Sequence, residues 1–209
     1  MNKSEKFWDR SVNMWNRQAN SYSHIKSIEN IKQYLNDSDI VLDYGCATGT
    51  VAIKVADKVK VIYGIDISSK MINTALKNAS ELNIENINFA KSTLFDDRYR
   101  IESFDVIIAF HILHYLKDTH KEIIRINELL KPGGLIISAT FCMGEKKNYR
   151  GVLLFFIVFL LTKLGILPYM RLFKFSELEK LITNCNFQIV ETKCLDPKST
   201  NYFIVAKKI

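Results

Sequence analysis

Ile40-Val41-Leu42-Asp43-Tyr44-Gly45-Cys46-Ala47-Thr48-Gly49-Thr50 carries an apolar strand pattern directly into a glycine-bearing turn. A helical stretch through Val51, Ala52 and Val55 follows it. Gly45 permits a tight turn and Gly49 lets the next helix begin close to a ligand, because neither residue has a Cβ. Strand, glycine turn and helix in that order make the opening of a βα unit.

The pattern then repeats outward along the chain. KVIYGID (60–66) is a second strand ending in Asp66. In SSKMINTALKNASELN (68–83), Met71, Ala75, Leu76, Ala79 and Leu82 have helical spacing, and Ser68 or Ser69 is placed to cap the helix. ENINFAK (85–91) is a weaker third strand, and FDVIIAF (104–110) is apolar throughout, as a strand covered on both faces requires. DTHKEIIRINELL (118–130) is a helix with Ile123, Ile126 and Leu130 on one stripe, and LKPGG (130–134) ends it. LIISAT (135–140) is a fifth strand. FSELEKLITNC (175–185) is a last helix with Ser176 as the expected cap, and FQIVETKCL (187–195) and NYFIVAKK (201–208) pair as an antiparallel end. Alternating βα units predict an α/β, Rossmann-like, doubly wound sheet, mostly parallel with an antiparallel last strand and helices on both faces. With three Pro, eight Gly and no linker or repeat in 209 residues, one domain is expected.

Composition limits the possible functions. The net charge is +7, which invites an anionic partner, but 22 of the 29 basic residues are Lys scattered along the chain. Scattered Lys reads as solvated surface more readily than as a nucleic-acid patch. The four cysteines, Cys46, Cys142, Cys185 and Cys194, form no CxxC pair and no metal-ligand spacing. No apolar leader opens the sequence, so a cytoplasmic, thiol-reducing location is expected.

Three readings of the glycine turn compete. A P-loop requires Gly-Lys-Ser/Thr at its end, and here Gly49-Thr50-Val51 has no Lys. A dinucleotide fingerprint counted from Gly45 places Ala47 and Thr50 where glycines are needed. LDYGCATG (42–49) instead resembles the acidic-x-Gly-x-x-x-Gly loop of class I S-adenosylmethionine-dependent methyltransferases, with Ala47 at the usual middle Gly. GIDIS (64–68) followed by Met71 is similar to the family's second motif, FDVIIAFHILHYL (104–116) to its fourth-strand motif, and LLKPGGLIIS (129–138) to its post-strand motif. WNRQANSYS (15–23) is similar to a lid that often precedes the domain. The resemblance spans roughly residues 7–140.

The resemblance implies S-adenosylmethionine as cofactor, with S-adenosylhomocysteine as product. It divides the chain into lid helices (1–36), a cofactor-binding core (37–140), an apolar substrate cover (141–175) and a C-terminal helix with strands (176–209). On this basis Gly45, Cys46, Ala47 and Gly49 shape the floor under the methionine part. Asp43 holds its ammonium and Asp66 the ribose. Ile67, Met71 and Leu94 flank adenine, Thr93 can accept from its amino group, and Phe110 belongs to the same site. The acid often found after the third strand is missing; Ser92-Thr93-Leu94 stands there. His114 is the first candidate for a general base, His111 the second, and Tyr22 could close over the site from the lid. Trp8 and Trp15 read as packing residues.

The acceptor is approached by exclusion and by one segment. Base-amine methylating enzymes carry an Asn/Asp-Pro-Pro-aromatic motif after the fourth strand. Here the residues are Ala109-Phe110-His111-Ile112, and no nucleic-acid module is attached. Nucleic acid is therefore the weaker reading. Val152–Leu161 is ten consecutive apolar residues, too few for a span of roughly 20. Lys146, Lys147 and Arg150 precede it and Lys163, Arg171 and Lys174 follow. This segment reads either as a core or homodimer helix, or as a greasy cover over a hydrophobic small-molecule acceptor that touches a membrane through residues 150–174. The expected function is methyl transfer to a quinone precursor, phenol or lipid-like acid. The alternatives are an RNA-directed methyltransferase and a non-catalytic S-adenosylmethionine-binding protein.

Overall fold

The computed structural model describes residues 3–18, 22–145, 149–164, 166–196 and 200–209. Seven strands form one sheet: β1 (Ile40–Tyr44), β2 (Val61–Asp66), β3 (Ile87–Lys91), β4 (Phe104–Phe110), β5 (Leu130–Phe141), β6 (Phe187–Asp196) and β7 (Asn201–Lys208). Their order across the sheet is β3-β2-β1-β4-β5-β7-β6. β1 pairs in parallel with both β2 and β4, so the winding direction reverses beside it. In such sheets a ligand crevice opens beyond the carboxyl ends of the two strands at that reversal. β7 runs antiparallel to both β5 and β6, which confirms the expected antiparallel end and places β7 inside the sheet rather than at its margin.

The buried alternation of the central strands fills two cores. One face carries Leu42, Ile107, Ala109, Ile136 and Ile204 against α6 (Thr119–Leu129) and α8 (Phe175–Thr183). The other carries Val41, Ile108, Ile137, Phe203 and Val205 against α3 (Tyr22–Ile31) and α4 (Thr50–Val55). β4 contributes to both, which explains its apolar run Val106–Phe110. α5 (Ser69–Glu81) is capped by Ser68, whose hydroxyl accepts the Met71 amide at 3.1 Å. Met71, Ile72, Ala75 and Ala79 are its buried stripe.

Two boundaries differ from the sequence reading. α6 does end at Leu129, but Leu130 already pairs with Phe104, and Lys131–Gly134 form an irregularity within β5 rather than a separate loop. Gly133, at φ +76°, makes that turn possible. The last helix begins at Phe175, one turn position before the expected Ser176 cap. Glu145 from the preceding segment accepts the Phe175 amide at 2.8 Å, and Glu177 accepts the Lys174 amide at 3.1 Å. A distant acidic side chain therefore satisfies a donor that a local hydroxyl was expected to serve. The remaining helices are α1 (Lys3–Arg10) and α2 (Val12–Gln18) at the N-terminus, and α7 (Tyr149–Lys163) between β5 and α8.

Phe89 of β3 lies across Gly64 of β2. A Cβ on Gly64 would sit 2.5 Å from the Phe89 ring. Gly64→Ala should therefore cost about 1–3 kcal/mol through overpacking. Phe89→Leu should recover part of that loss in the double variant, as read from urea unfolding midpoints.

Candidate active site

The loop after β1 is held by geometry that few side chains allow. Gly45, Ala47 and Gly49 all have positive φ, at 73°, 47° and 80°. A Cβ on Gly49 would lie 2.6 Å from the Phe89 ring and 3.0 Å from Ala75, and one on Gly45 would lie 3.1 Å from Ile112. The missing middle glycine is thus an alanine that has adopted the left-handed conformation itself, a modest strain for a residue with only a methyl group. Gly45 and Cys46 donate their amides to the Ile65 carbonyl at 2.8 and 3.0 Å. Asn78 of α5 donates to the Thr48 carbonyl at 3.0 Å, tying the loop to the next unit.

Two acids stand beside this loop. Asp66 accepts the Ala47 amide at 3.2 Å through one oxygen and the Ser68 amide at 2.8 Å through the other. Burial raises its pKa, against the lowering effect of those amides. Asp43 is 2 % exposed, and its Oδ2 has no hydrogen-bond partner among the described residues. Burial pushes its carboxyl up to about 7; a backbone hydrogen bond at Ala52 lowers it, and the Asp66 charge raises it further. A buried acceptor without a partner is costly, and a cationic ligand would relieve it.

The N-terminal helices close over the same place. Asp9 of α1 accepts the Ser68 hydroxyl at 2.6 Å and the Lys70 amide at 3.2 Å, so it reaches the capping residue of α5. Glu5 pairs with Lys91 at the end of β3. These contacts bring Trp8 into the cavity wall, where its ring stands edge-on to Tyr115 with centroids 4.8 Å apart and 6.0 Å from that of Trp15.

Nine of the residues singled out in the sequence line one cavity: Asp43, Gly45, Cys46, Ala47, Asp66, Ile67, Met71, Phe110 and His111. Gly49 lies beneath the loop at the start of α4. Leu94 is fully buried in the core and Ser92, rather than Thr93, reaches the cavity. His114 is 1 % exposed behind the cavity, with its ring edge-on to Phe141 at 5.8 Å. Burial lowers its pKa to about 3. Tyr22 opens α3, but its side chain lies outside the described residues.

The cavity also holds residues the sequence reading did not place there. Trp8, Trp15 and Tyr115 form an aromatic wall, and His24 of α3 faces His111 with ring centroids 5.8 Å apart. Burial and then Lys54 lower the His24 pKa to about 4; burial, His114 and His24 hold His111 well below the usual imidazole value. Both rings are neutral at physiological pH. His24 gave no signal in sequence because it lies in a helix pattern far from the glycine loop. Among the described residues, no group of three or more His, Cys, Asp or Glu side chains is placed to hold a metal ion.

Known proteins agree with this geometry. Residues 35–168 match the family described as Methyltransferase domain. The chain is 27% identical to a ubiquinone biosynthesis O-methyltransferase of Rickettsia bellii, over 99% of this chain and 95% of that one. Its fold matches an S-adenosylmethionine-dependent methyltransferase of Aquifex aeolicus with a TM-score of 0.71 at 15% identity, over 96% of this chain and 98% of that one. It also matches a Haemonchus contortus phosphoethanolamine N-methyltransferase, solved with S-adenosylhomocysteine, at a TM-score of 0.76 and 16% identity, over 96% of this chain and 58% of that one. A strained glycine cradle and an unpartnered buried carboxylate fit the cofactor of that family. The chain belongs to the class I S-adenosylmethionine-dependent methyltransferases, and it is an enzyme of that class.

Proposed function

We propose that this methyltransferase acts on an oxygen of a hydrophobic aromatic small molecule of the quinone-precursor type, taken from the cytoplasmic face of a membrane. The observation that carries this reading is the aromatic part of the cavity lining, made of Trp8, Trp15 and Tyr115 with two neutral imidazoles. Such a wall stacks a flat apolar ring and offers acceptors to a hydroxyl. The name of the Rickettsia bellii relative supports the same acceptor class.

Bound S-adenosylmethionine supplies a methyl group activated by a positively charged sulfur. Asp43 Oδ2 would accept from its ammonium, and the spare lone pairs of Asp66 would take the ribose hydroxyls. Gly45, Cys46 and Ala47 would form the floor, with Gly49 supporting it from below. Ile67 and Met71 would flank adenine, with Leu94 packed behind and Ser92, in place of the expected Thr93, beside its amino group. Phe110 and His111 would border the acceptor. His114 would support His111 through Phe141, on which the His111 ring stacks at 4.5 Å.

The source of the acceptor is argued from α7. Leu153, Phe156, Ile157, Phe159 and Leu160 are all exposed, so apolar side chains cover the helix on more than one side. Among the described residues no helix is long and apolar enough to cross a membrane. At about 1.5 Å per residue, α7 reaches well short of a bilayer core. Exposed Lys163, Arg171 and Lys174 follow it, at a spacing that suits anionic headgroups. The return segment then runs back to the site: the Arg171 amide donates to the His114 carbonyl at 2.7 Å, and Gly144 donates to Phe173 at 3.0 Å.

Incubation with methyl-labelled cofactor and a membrane lipid extract should label an apolar aromatic product; a labelled RNA or protein fraction instead would overturn the reading. The protein should sediment with phosphatidylglycerol vesicles at low salt, and Phe156→Asp with Leu160→Asp should leave it in the supernatant with cofactor affinity unchanged. A native protein that ignores vesicles and sediments as a dimer dispersed by the same substitutions would assign α7 to a second copy.

Two further outcomes concern the cofactor residues. Asp66→Ala should weaken S-adenosylhomocysteine binding by at least about tenfold in isothermal titration, the loss of charge-assisted hydrogen bonds. Below about pH 7 Asp43 takes up a proton, and only its ionised form attracts an ammonium. Affinity should therefore fall as pH drops from 7 to 5, by up to about tenfold per unit, and Asp43→Asn should flatten that dependence.

A further inference from the structure

His24 and His111 share an arrangement that cofactor binding does not use. His24 is 8 % exposed and His111 5 %, yet His24 Nε2 and His111 Nδ1 have no hydrogen-bond partner among the described residues. Both line the cavity, with ring centroids 5.8 Å apart and planes tilted by 30°. Trp15 Nε1 is a third unpartnered polar atom in the same wall. Buried polar atoms are ordinarily paired, so these three, with Asp43 Oδ2 as a fourth in the same cavity, are groups that a ligand would satisfy. His111 is held in place: its ring stacks on Phe141, its backbone φ is +55°, and its amide donates to Ala139 at 2.7 Å. A non-glycine residue kept in this conformation is a strain the surrounding packing must impose.

We propose that His24 is the general base of the reaction and that His24 and His111 each hold one of two adjacent oxygens on a catechol-type ring. This rests on the aromatic-oxygen reading given above. The acceptor O–H bond breaks, its proton passes to His24 Nε2, and the electron pair stays on oxygen to take the methyl group, whose bond to the donor sulfur breaks with that pair left on a neutral thioether. The proton later leaves His24 for water. His111 Nδ1 accepts a hydrogen bond from the second hydroxyl and so fixes which oxygen is aligned.

The electrostatics suit proton removal during methyl transfer rather than before it. Lys54 of α4 and His111 are the titratable groups facing His24, and His114 and His24 are those facing His111. Burial and Lys54 hold the His24 pKa between that of a phenol, about 10, and that of the protonated ether formed if the proton stayed on. A base in that interval gains nothing by acting early and takes the proton as the new bond forms.

The test uses the full chain with catechol and 4-nitrocatechol as acceptors. His24→Gln and His24→Ala should lower kcat on catechol by about 100- to 10,000-fold, with S-adenosylhomocysteine affinity unchanged. The variants' rate should climb with pH as the acceptor ionises unaided, while the native rate stays nearly level between about pH 6 and 8. 4-Nitrocatechol, with its more acidic hydroxyl, should lose less than catechol. Without turnover, His24→Ala should bind catechol about tenfold more weakly to the S-adenosylhomocysteine-loaded protein and bind 1,2-dimethoxybenzene as before. Retention of kcat within about threefold, or an equal loss on both acceptors with no change of pH profile, would overturn the role of His24 alone. Native enzyme that methylates other acceptors but no adjacent aryl diol would overturn the acceptor reading with it.

Discussion

The carboxylate of Asp66 ties three units of this protein together. One oxygen holds the Ala47 amide of the β1 loop and the other holds the Ser68 amide at the start of α5. Ser68 in turn caps α5 and donates to Asp9 of the N-terminal helix. The loop conformation, the helix start and the lid therefore meet at one acid. Because carboxylate oxygens have several lone pairs, Asp66 can do this and still receive a ligand's hydroxyls. Loss of this acid would free the Ala47 amide of a loop with three positive φ values, as well as remove a ligand contact.

The cavity is electrostatically mixed. Two desolvated acids, Asp43 and Asp66, line it, and the Asp66 charge raises the proton affinity of Asp43, which suits a cationic ligand. The same cavity also holds two imidazoles that burial keeps neutral, His24 from α3 and His111 from the end of β4, among indole and phenol rings. Acidic and uncharged groups thus share one space, and the N-terminal helix that contributes Trp8 is fastened to α5 and β3 by Asp9 and Glu5.

α7 lies outside the cavity lining. Its apolar residues are exposed, whereas the return segment that follows binds the His114 carbonyl and packs Phe173 fully into the core. Gly144 makes the close approach possible, since a Cβ there would lie 2.8 Å from the Phe173 carbonyl oxygen. A helix with exposed apolar residues is thereby joined through backbone hydrogen bonds to the residues behind His111.

The order of strands, the glycine turn and the two acids could be read from residue types alone, because each depends on local constraints: strand periodicity, the φ demanded of Gly45 and Gly49, and acids at strand ends. The apolar run in α7 was equally plain, although the exposure of Leu153, Phe156, Ile157, Phe159 and Leu160 was not. The cap of α8 escaped because its partner, Glu145, is 30 residues away. His24, Trp8 and Trp15 escaped for the same reason on a larger scale. They sit on N-terminal helices whose own pattern is that of ordinary packing residues. Trp8 enters the cavity where Asp9 and Glu5 dock α1 onto α5 and β3, and His24 where Ile28 and Ile31 pack α3 onto the core. Short-range sterics wrote the cofactor loop into the chain; the aromatic wall exists only where segments distant in sequence are brought together by packing and hydrogen bonds.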